Sequence, residues 1–320
     1  MTDERFLYAA LELAEEGRGT TAPNPIAGAV VVRRGKIVGT GWHERPGGPH
    51  AEIVALERAG KRARGATLYV SMEPCAHHGR TPPCADAVIA AGVAKVVAAV
   101  GDPDPRTNGA GFERLRAAGV EVELGGGEAE WWARVQNEAF RTWAGLRRPF
   151  VLLKLAMTLD GRVTVPGARW VSGEESRVYV HELRADMDAV AVGMGTVRAD
   201  APALTARGVG AKRQPRRLAF GRGPLPAGSD LEVRPGPLAD ELRRLADEGV
   251  QSLLLEGGPT IATAFLAAGL VDRLMLFLAP TIAGSGPHVL GELSEPLSLL
   301  RPQIRGFGDD ILFSGYLRAP

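Results

Sequence analysis

The sequence predicts two α/β domains in tandem. The chain has 320 residues, about two domains' worth at roughly 100–200 residues each. Apolar residues make up 45%, enough for two cores. Short apolar runs alternate with segments of helical periodicity, and the alternation starts afresh after the short basic stretch 145–149, which ends in Pro149. The boundary is placed there, giving domains of residues 1–145 and 149–320.

In the first half, Phe6, Ala9, Ala10 and Leu13 form a helical stripe within Glu4 to Glu16, and Gly17 suits its stop. Ala29 to Val32 and Lys36 to Gly41 read as a hairpin with Arg34-Gly35 near the turn. A helix is expected over Ala51 to Ala59, a buried strand over Thr67 to Met72, a helix over Ala85 to Ala91 and a strand over Lys95 to Val100. Then follow a helix over Gly111 to Ala118, a strand over Val120 to Leu124 and one last helix over Glu128 to Trp143. This is a sandwich of helices around about five strands.

In the second half, strands are expected at Phe150 to Ala156, Ala189 to Gly193, Arg217 to Phe220, Ser252 to Leu255, Arg273 to Ala279 and Ile311 to Tyr316. Helices are expected at Glu174 to Arg184, Leu238 to Glu248 and Ile261 to Ala268. Gly221 to Pro237 is rich in Gly and Pro and reads as a loop. There is no internal repeat and no low-complexity tract.

Charge excludes some functions. Lys and Arg number 38, Asp and Glu 37, for a net charge of +1. That balance gives no reason to expect a nucleic-acid or membrane surface. No apolar run approaches the roughly 18 residues of a membrane span, and Met1 to Ala14 is too charged for a signal peptide. The expected compartment is the cytosol, where the two cysteines stay reduced or bind metal.

The densest chemistry is His50-Ala51-Glu52, then Pro74-Cys75, then Pro83-Cys84. Zinc favours Cys sulfur and His nitrogen, and a catalytic site uses three protein ligands plus a water. One His and two Cys meet that count. The ion brings the pKa of its water from about 15.7 to about 7. A carboxylate two residues after the histidine, Glu52, can then carry a proton from water to a leaving amine. H-x-E with a later P-C and a second cysteine is the pattern of zinc nucleobase deaminases. The competing reading is a structural zinc site, which has no need of Glu52. His77 and His78 are read as pocket-lining, because a fourth protein ligand would close the water position.

By itself the second half says less. Leu255 to Thr260 joins a strand to a helix through Glu256-Gly257-Gly258-Pro259. This suits either an anion at a helix N-terminus or an ordinary helix start. It is not the G-x-G-x-x-G fingerprint.

The stretch Pro74-Cys75-Ala76-His77-His78-Gly79-Arg80-Thr81-Pro82-Pro83-Cys84 resembles the cytidine-deaminase-like superfamily. More narrowly, it is similar to the bifunctional deaminase–reductases of riboflavin biosynthesis, whose cysteines are widely spaced. Here they lie nine positions apart. Pro23-Asn24-Pro25 and Gly28-Ala29-Val30 also match, while Ile26-Ala27 departs from the usual Asn-Val. Lys154-Leu155-Ala156, Leu159-Asp160-Gly161, Leu183-Arg184-Ala185, Gly195-Thr196-Val197, Asp200 to Leu204 and the Glu256 loop follow the reductase half.

The resemblance implies a cytidine-deaminase-like α/β/α sandwich followed by a dihydrofolate-reductase-like α/β domain. It implies zinc on His50, Cys75 and Cys84, with Glu52 catalytic and Asn24 and His43 facing the pyrimidine. For NADPH it implies Ala156, Trp170, Thr196, Asp200, Gly258, Pro259, Thr260, Ile261, Ala262, Thr263 and Ala264. For the second substrate it implies Ala168, Arg184, Leu204, Arg207 and Glu256. Guanidinium forks suit a ribose phosphate, although Arg184 and Arg207 also read as surface ion pairs, and Asn24 as a turn residue. The segment from Val165 to Trp170 is shorter than in the family. Gly221-Arg222 stands where an Asp-Ser pair is common, by the adenosine end of the cofactor, and Arg222 is there a candidate for a 2′-phosphate.

The expected activity is hydrolytic deamination of 2,5-diamino-6-(ribosylamino)-4(3H)-pyrimidinone 5′-phosphate, followed by NADPH reduction of the ribosyl group to ribityl. The partner is this small pyrimidine ribose phosphate, and a homo-oligomer is expected, with no nucleic acid or membrane bound. The rival enzyme reading is a tRNA or nucleotide deaminase with an accessory domain.

Overall fold

The computed structural model describes residues 4–76, 82–104 and 107–320. The chain divides into two compact units, Met1–Leu146 and Arg147–Pro320.

The first unit contains α1 (Glu4–Glu15), β1 (Gly28–Arg33), β2 (Lys36–Trp42), α2 (Ala51–Ala59), β3 (Thr67–Val70), α3 (Cys84–Ala90) and β4 (Lys95–Ala98), then α4 (Ala110–Ala117), β5 (Glu121–Leu124), α5 (Gly127–Gln136) and α6 (Glu138–Leu146). A single 3-10 turn, Gly60–Ala63, follows α2. The sheet order is β2-β1-β3-β4-β5. β1 is antiparallel to both neighbours, and β3, β4 and β5 run parallel.

Side-chain alternation on β1 explains the layering. Ala29 and Val31 enter a core with Ala55 of α2, Val88 of α3 and Leu115 of α4. Val30 and Val32 enter another with Phe6 and Leu11 of α1 and Ala133 of α5. The sheet is thus apolar on both faces and covered by helices on both. Helix α2 lies hard against β2: a Cβ on Gly39 or Gly41 would come within 2.2 or 2.4 Å of the α2 carbonyls of Ala55 and Ala51. This contact holds the start of α2, with His50 and Glu52, over the sheet.

One expected helix is two. The segment expected as one helix from Glu128 to Trp143 breaks at Asn137, which caps α5 with φ −119°. Its side chain donates to Ile26 O and accepts from Ile26 N, both at 2.9 Å. A tertiary amide pair outweighs the local helical pattern there.

The second unit contains β6 (Phe150–Thr158), α7 (Glu174–Asp186), β7 (Ala189–Gly193), α8 (Met194–Asp200), β8 (Arg216–Phe220), β9 (Glu232–Arg234) and α9 (Leu238–Asp247), then β10 (Ser252–Leu255), α10 (Pro259–Ala267), β11 (Arg273–Ala279), β12 (Leu300–Phe307) and β13 (Asp310–Tyr316). Its sheet order is β12-β13-β11-β6-β10-β7-β8-β9. The strands from β11 to β9 in that order are parallel, and β12 and β13 are antiparallel additions. Val151, Leu153, Leu218, Leu253 and Leu255 pack there against Leu242 and Leu245 of α9 and Phe265 of α10.

Three elements escaped the sequence reading. Helix α8 is only seven residues with a glycine inside, and the burial of Met194 and Val197 sustains it against weak propensity. Strand β9 lies inside the segment expected to be loop and pairs only with β8. Strand β12 is exposed through Gly306, so it shows no apolar alternation, and its ladder to β13 alone defines it. The parallel strands β6, β10, β7 and β8 end on one edge, where open α/β sheets bind ligands.

Candidate active sites

In the first unit, two helix starts converge. His50 is the residue before α2, and Cys84 is the first residue of α3. Cys75 follows β3 by a short loop, and its carbonyl accepts from Ala85 N at 3.2 Å. His50 Nδ1 lies 3.7 Å from Cys75 Sγ and 3.2 Å from Cys84 Sγ. The three ligand atoms all fall within 4.8 Å of one another. Tetrahedral zinc with Zn–S of about 2.3 Å and Zn–N of about 2.05 Å separates S from N by about 3.5 Å. The donor set therefore fits zinc. His77 and His78 lie outside the described residues.

The electrostatics agree. Cys75 is drawn down to about 4 by hydrogen bonds from the Cys84 thiol and from His50. Cys84 is pushed up by that neighbouring sulfur and by burial. Burial also raises Glu52, which reaches the Cys84 thiol. Two sulfurs and a carboxylate thus crowd one imidazole and resist ionising together, a cost that a dication relieves.

A cavity of about 310 Å³ opens beside these residues, lined in part by Asn24, His43, His50, Glu52 and Cys75. His43 Nδ1 lies 3.0 Å from Pro49 O, so it carries the proton and donates there. His43 Nε2 then accepts from Asn24 Nδ2 at 3.0 Å. Burial pulls His43 below the usual histidine range, which keeps it neutral. Among the described residues no donor reaches Asn24 Oδ1, which can therefore still accept a hydrogen bond.

The sequence reading missed Glu73, Asp102 and Asp104 on the cavity wall. Glu73 accepts backbone N–H bonds from Asp102, Gly109, Gly111 and Phe112, and so pins the loop after β4. Two aspartates just beyond a parallel strand's C-terminal end were the available signal.

In the second unit, Arg184 and Glu256 meet in a two-pronged ion pair at 2.5 and 2.9 Å. Arg184 Nη1 donates to Thr205 O at 3.1 Å, tying α7 to the segment that carries Leu204 and Arg207. The Arg184 fork is therefore engaged inside the protein. Arg207 is exposed and, among the described residues, has no carboxylate partner. Leu204 is buried with φ +51°. Thr196 stands against the start of α10: a Cβ on Gly258 would lie 3.2 Å from its Oγ1. Gly258 caps α10 with no side-chain bond to the first turn, leaving N–H groups for a phosphate.

Ile261 and Thr263 are part-buried, while Thr260, Ala264 and Asp200 are exposed. Ala262 is fully buried in the core, so only its backbone could meet a ligand. Ala156 is part-buried on β6, and Ala168 is exposed. Trp170 is 54% exposed, with Arg169 and Arg177 over its ring at 5.0 and 5.5 Å. Lys154 of β6, which the sequence did not single out, feels the charges of Glu256 and Arg184. Desolvation pulls its ammonium below the lysine range, and Glu256 is the largest opposing influence.

The cytidine and deoxycytidylate deaminase zinc-binding region matches residues 1–100, and the RibD C-terminal domain matches 149–226 and 229–313. The riboflavin biosynthesis protein RibD of Aquifex aeolicus is 40% identical, covering 97% of each chain. The Mycobacterium tuberculosis protein of that name is 43% identical, covering 95% of this chain and 94% of its own. Among solved structures, Acinetobacter baumannii RibD superposes with TM-score 0.81 at 34% identity, over 98% of both chains. A diaminohydroxyphosphoribosylaminopyrimidine deaminase/5-amino-6-(5-phosphoribosylamino)uracil reductase from Thermotoga maritima gives 0.80 at 35%, again over 98% of both.

Proposed function

Because this chain belongs to the RibD family of riboflavin biosynthesis, we propose that its two halves perform two consecutive steps on one pyrimidine ribose phosphate. Residues 1–145 hydrolyse the 2-amino group of 2,5-diamino-6-(ribosylamino)-4(3H)-pyrimidinone 5′-phosphate. Residues 149–320 reduce the ribosyl group of 5-amino-6-(5-phosphoribosylamino)uracil to ribityl with NADPH. The observation that carries the reading is the convergence of His50, Cys75, Cys84 and Glu52 on one cavity. A match of the second half to the RibD C-terminal domain removes the rival of a nucleotide deaminase with an unrelated accessory domain.

In the first half, His50, Cys75 and Cys84 would hold zinc, which when bound supplies a water acidified towards neutrality. Glu52 takes a proton from the attacking water and returns one to the departing amine. Its raised affinity for protons, caused by burial, suits both duties. Asn24 and neutral His43 orient the ring. In the second half, the start of α10 and Thr196 would hold NADPH, whose chemistry is hydride donation. Glu256 and Arg207 would bind the sugar phosphate, with Arg184 holding Glu256 in place.

We further read the enzyme as cytoplasmic and as a homo-oligomer that binds neither nucleic acid nor membrane. No helix among the described residues is long and apolar enough to cross a membrane. Exposed Ile304, Ile311 and Phe313 share one face of β12 and β13 with Leu276 and Leu278 of β11. This apolar face suits self-association. The deciding experiment follows ammonia release and NADPH oxidation separately with purified protein. Absence of ammonia release from the diaminopyrimidine phosphate by zinc-loaded protein would overturn the first assignment.

A further inference from the structure

We propose that Arg198 and Arg222 clamp the 2′-phosphate of NADPH and set the preference for NADPH over NADH. This rests on the reading that NADPH lies at the start of α10 and Thr196, and it joins Arg198 and the turn's geometry to Arg222, which the sequence offered alone.

β7 and β8 are adjacent and parallel, with Gly193 beside Phe220. Gly193 passes directly into α8, and Phe220 into the turn Gly221-Arg222-Gly223. Arg198 Nη2 donates to the carbonyl oxygen of Arg222 at 2.8 Å, and Arg222 Nε donates to Pro235 O at 3.1 Å. Each guanidinium has five N–H donors, so these bonds position both cations and leave most donors unused. Both residues are exposed, and among the described residues neither has a carboxylate within ion-pair distance. Nearby Arg216, Arg217 and Arg234 are each paired with carboxylates. Two cations tethered to one turn without a counterion among the described residues favour an incoming anion.

The turn is shaped for this. Gly221 and Gly223 have φ of +128° and +111°. A Cβ on Gly223 would lie 2.5 Å from Arg198 Nη2. A side chain there would crowd that guanidinium, and the positive φ of the turn also favours glycine.

The location matches the charge. Gly258 follows β10 closely, and Arg222 follows β8, two strands away in the order β10-β7-β8. At about 4.8 Å per strand, the separation is about 10 Å. A dinucleotide whose pyrophosphate meets the start of α10 would place its adenosine ribose near the end of β8. A phosphate monoester there carries close to two negative charges and accepts two-pronged guanidinium bonds. NADH has a hydroxyl at that position and would leave both cations unneutralised.

Calorimetry on the full chain tests this with four probes: adenosine 2′,5′-bisphosphate, AMP, NADPH and NADH. The wild type should bind the two 2′-phosphorylated probes at least tenfold more tightly than their counterparts. Arg198→Ala and Arg222→Ala should each weaken those two about tenfold, the low end for a hydrogen bond to a charged group, and change AMP and NADH less than twofold. Gly223→Ala, which keeps both charges but crowds Arg198, should weaken the same two probes. Melting curves should confirm that the variants fold. A wild type that binds NADPH and NADH equally well, or alanine variants that keep the full preference, would overturn the clamp while leaving the cofactor's place intact. A wild type that binds none of the four probes would overturn the cofactor reading itself, and the clamp with it.

Discussion

Glu52 is 6% exposed, next to a thiol and to His50, whose charge only partly offsets the burial that raises its proton affinity. Its value lies in exchanging protons. Glu52→Gln keeps the shape and removes the exchange, so zinc content should remain near one per chain while deamination falls roughly 10²–10⁴-fold. Ammonia release at the wild-type rate would remove Glu52 from the mechanism. Asp102 shows a different consequence of burial. Desolvation lifts its carboxyl from the ordinary 3.8 to about 6. Between those values the folded chain holds a proton that the unfolded chain has released, so stability falls as pH rises through this window. The loss is about 3 kcal/mol when complete. Asp102→Asn should abolish it, and its stability advantage over wild type in urea should be larger at pH 7.5 than at pH 4.5. An advantage independent of pH would mean that Asp102 is solvated in the fold.

At the scale of elements, the break between α5 and α6 ties a helix to the pocket wall. Asn137 satisfies both backbone groups of Ile26, two residues beyond Asn24. Asn137→Ala should leave those buried groups unpaired and cost about 2–4 kcal/mol. Asn24 should shift with them, so KM for deamination should rise more than kcat falls, with zinc retained. An unchanged KM would show that the break serves stability alone. The elements that the sequence made legible are those whose own pattern is strong, such as the all-buried β7 and the amphipathic α1. Strand β12 and helix α8 were not legible, because exposure in one and a glycine-bearing seven-residue length in the other erase the local signal.

For the whole molecule, two units with separate cores predict separable activities. Cys75→Ser should lose zinc and ammonia release, yet oxidise NADPH with already deaminated substrate at no less than half the wild-type rate. Both activities vanishing together, with a normal melting curve, would favour one shared site. The sequence by itself determined the alternation of strands and helices, hence the α/β class, and the chemistry of H-x-E with two prolyl-cysteines. Periodicity and ligand type are local properties, written in neighbouring residues. The tertiary structure alone decided what distant residues do to one another. It turned Arg184 inward onto Glu256 and left the Arg207 side chain without a carboxylate partner among the described residues. It brought Asp102 to the cavity wall on a loop held by Glu73, and set Arg198 beside Arg222. Each outcome depends on which chain segments meet at the ends of a sheet, and strand order, unlike strand identity, is fixed by packing over the entire domain.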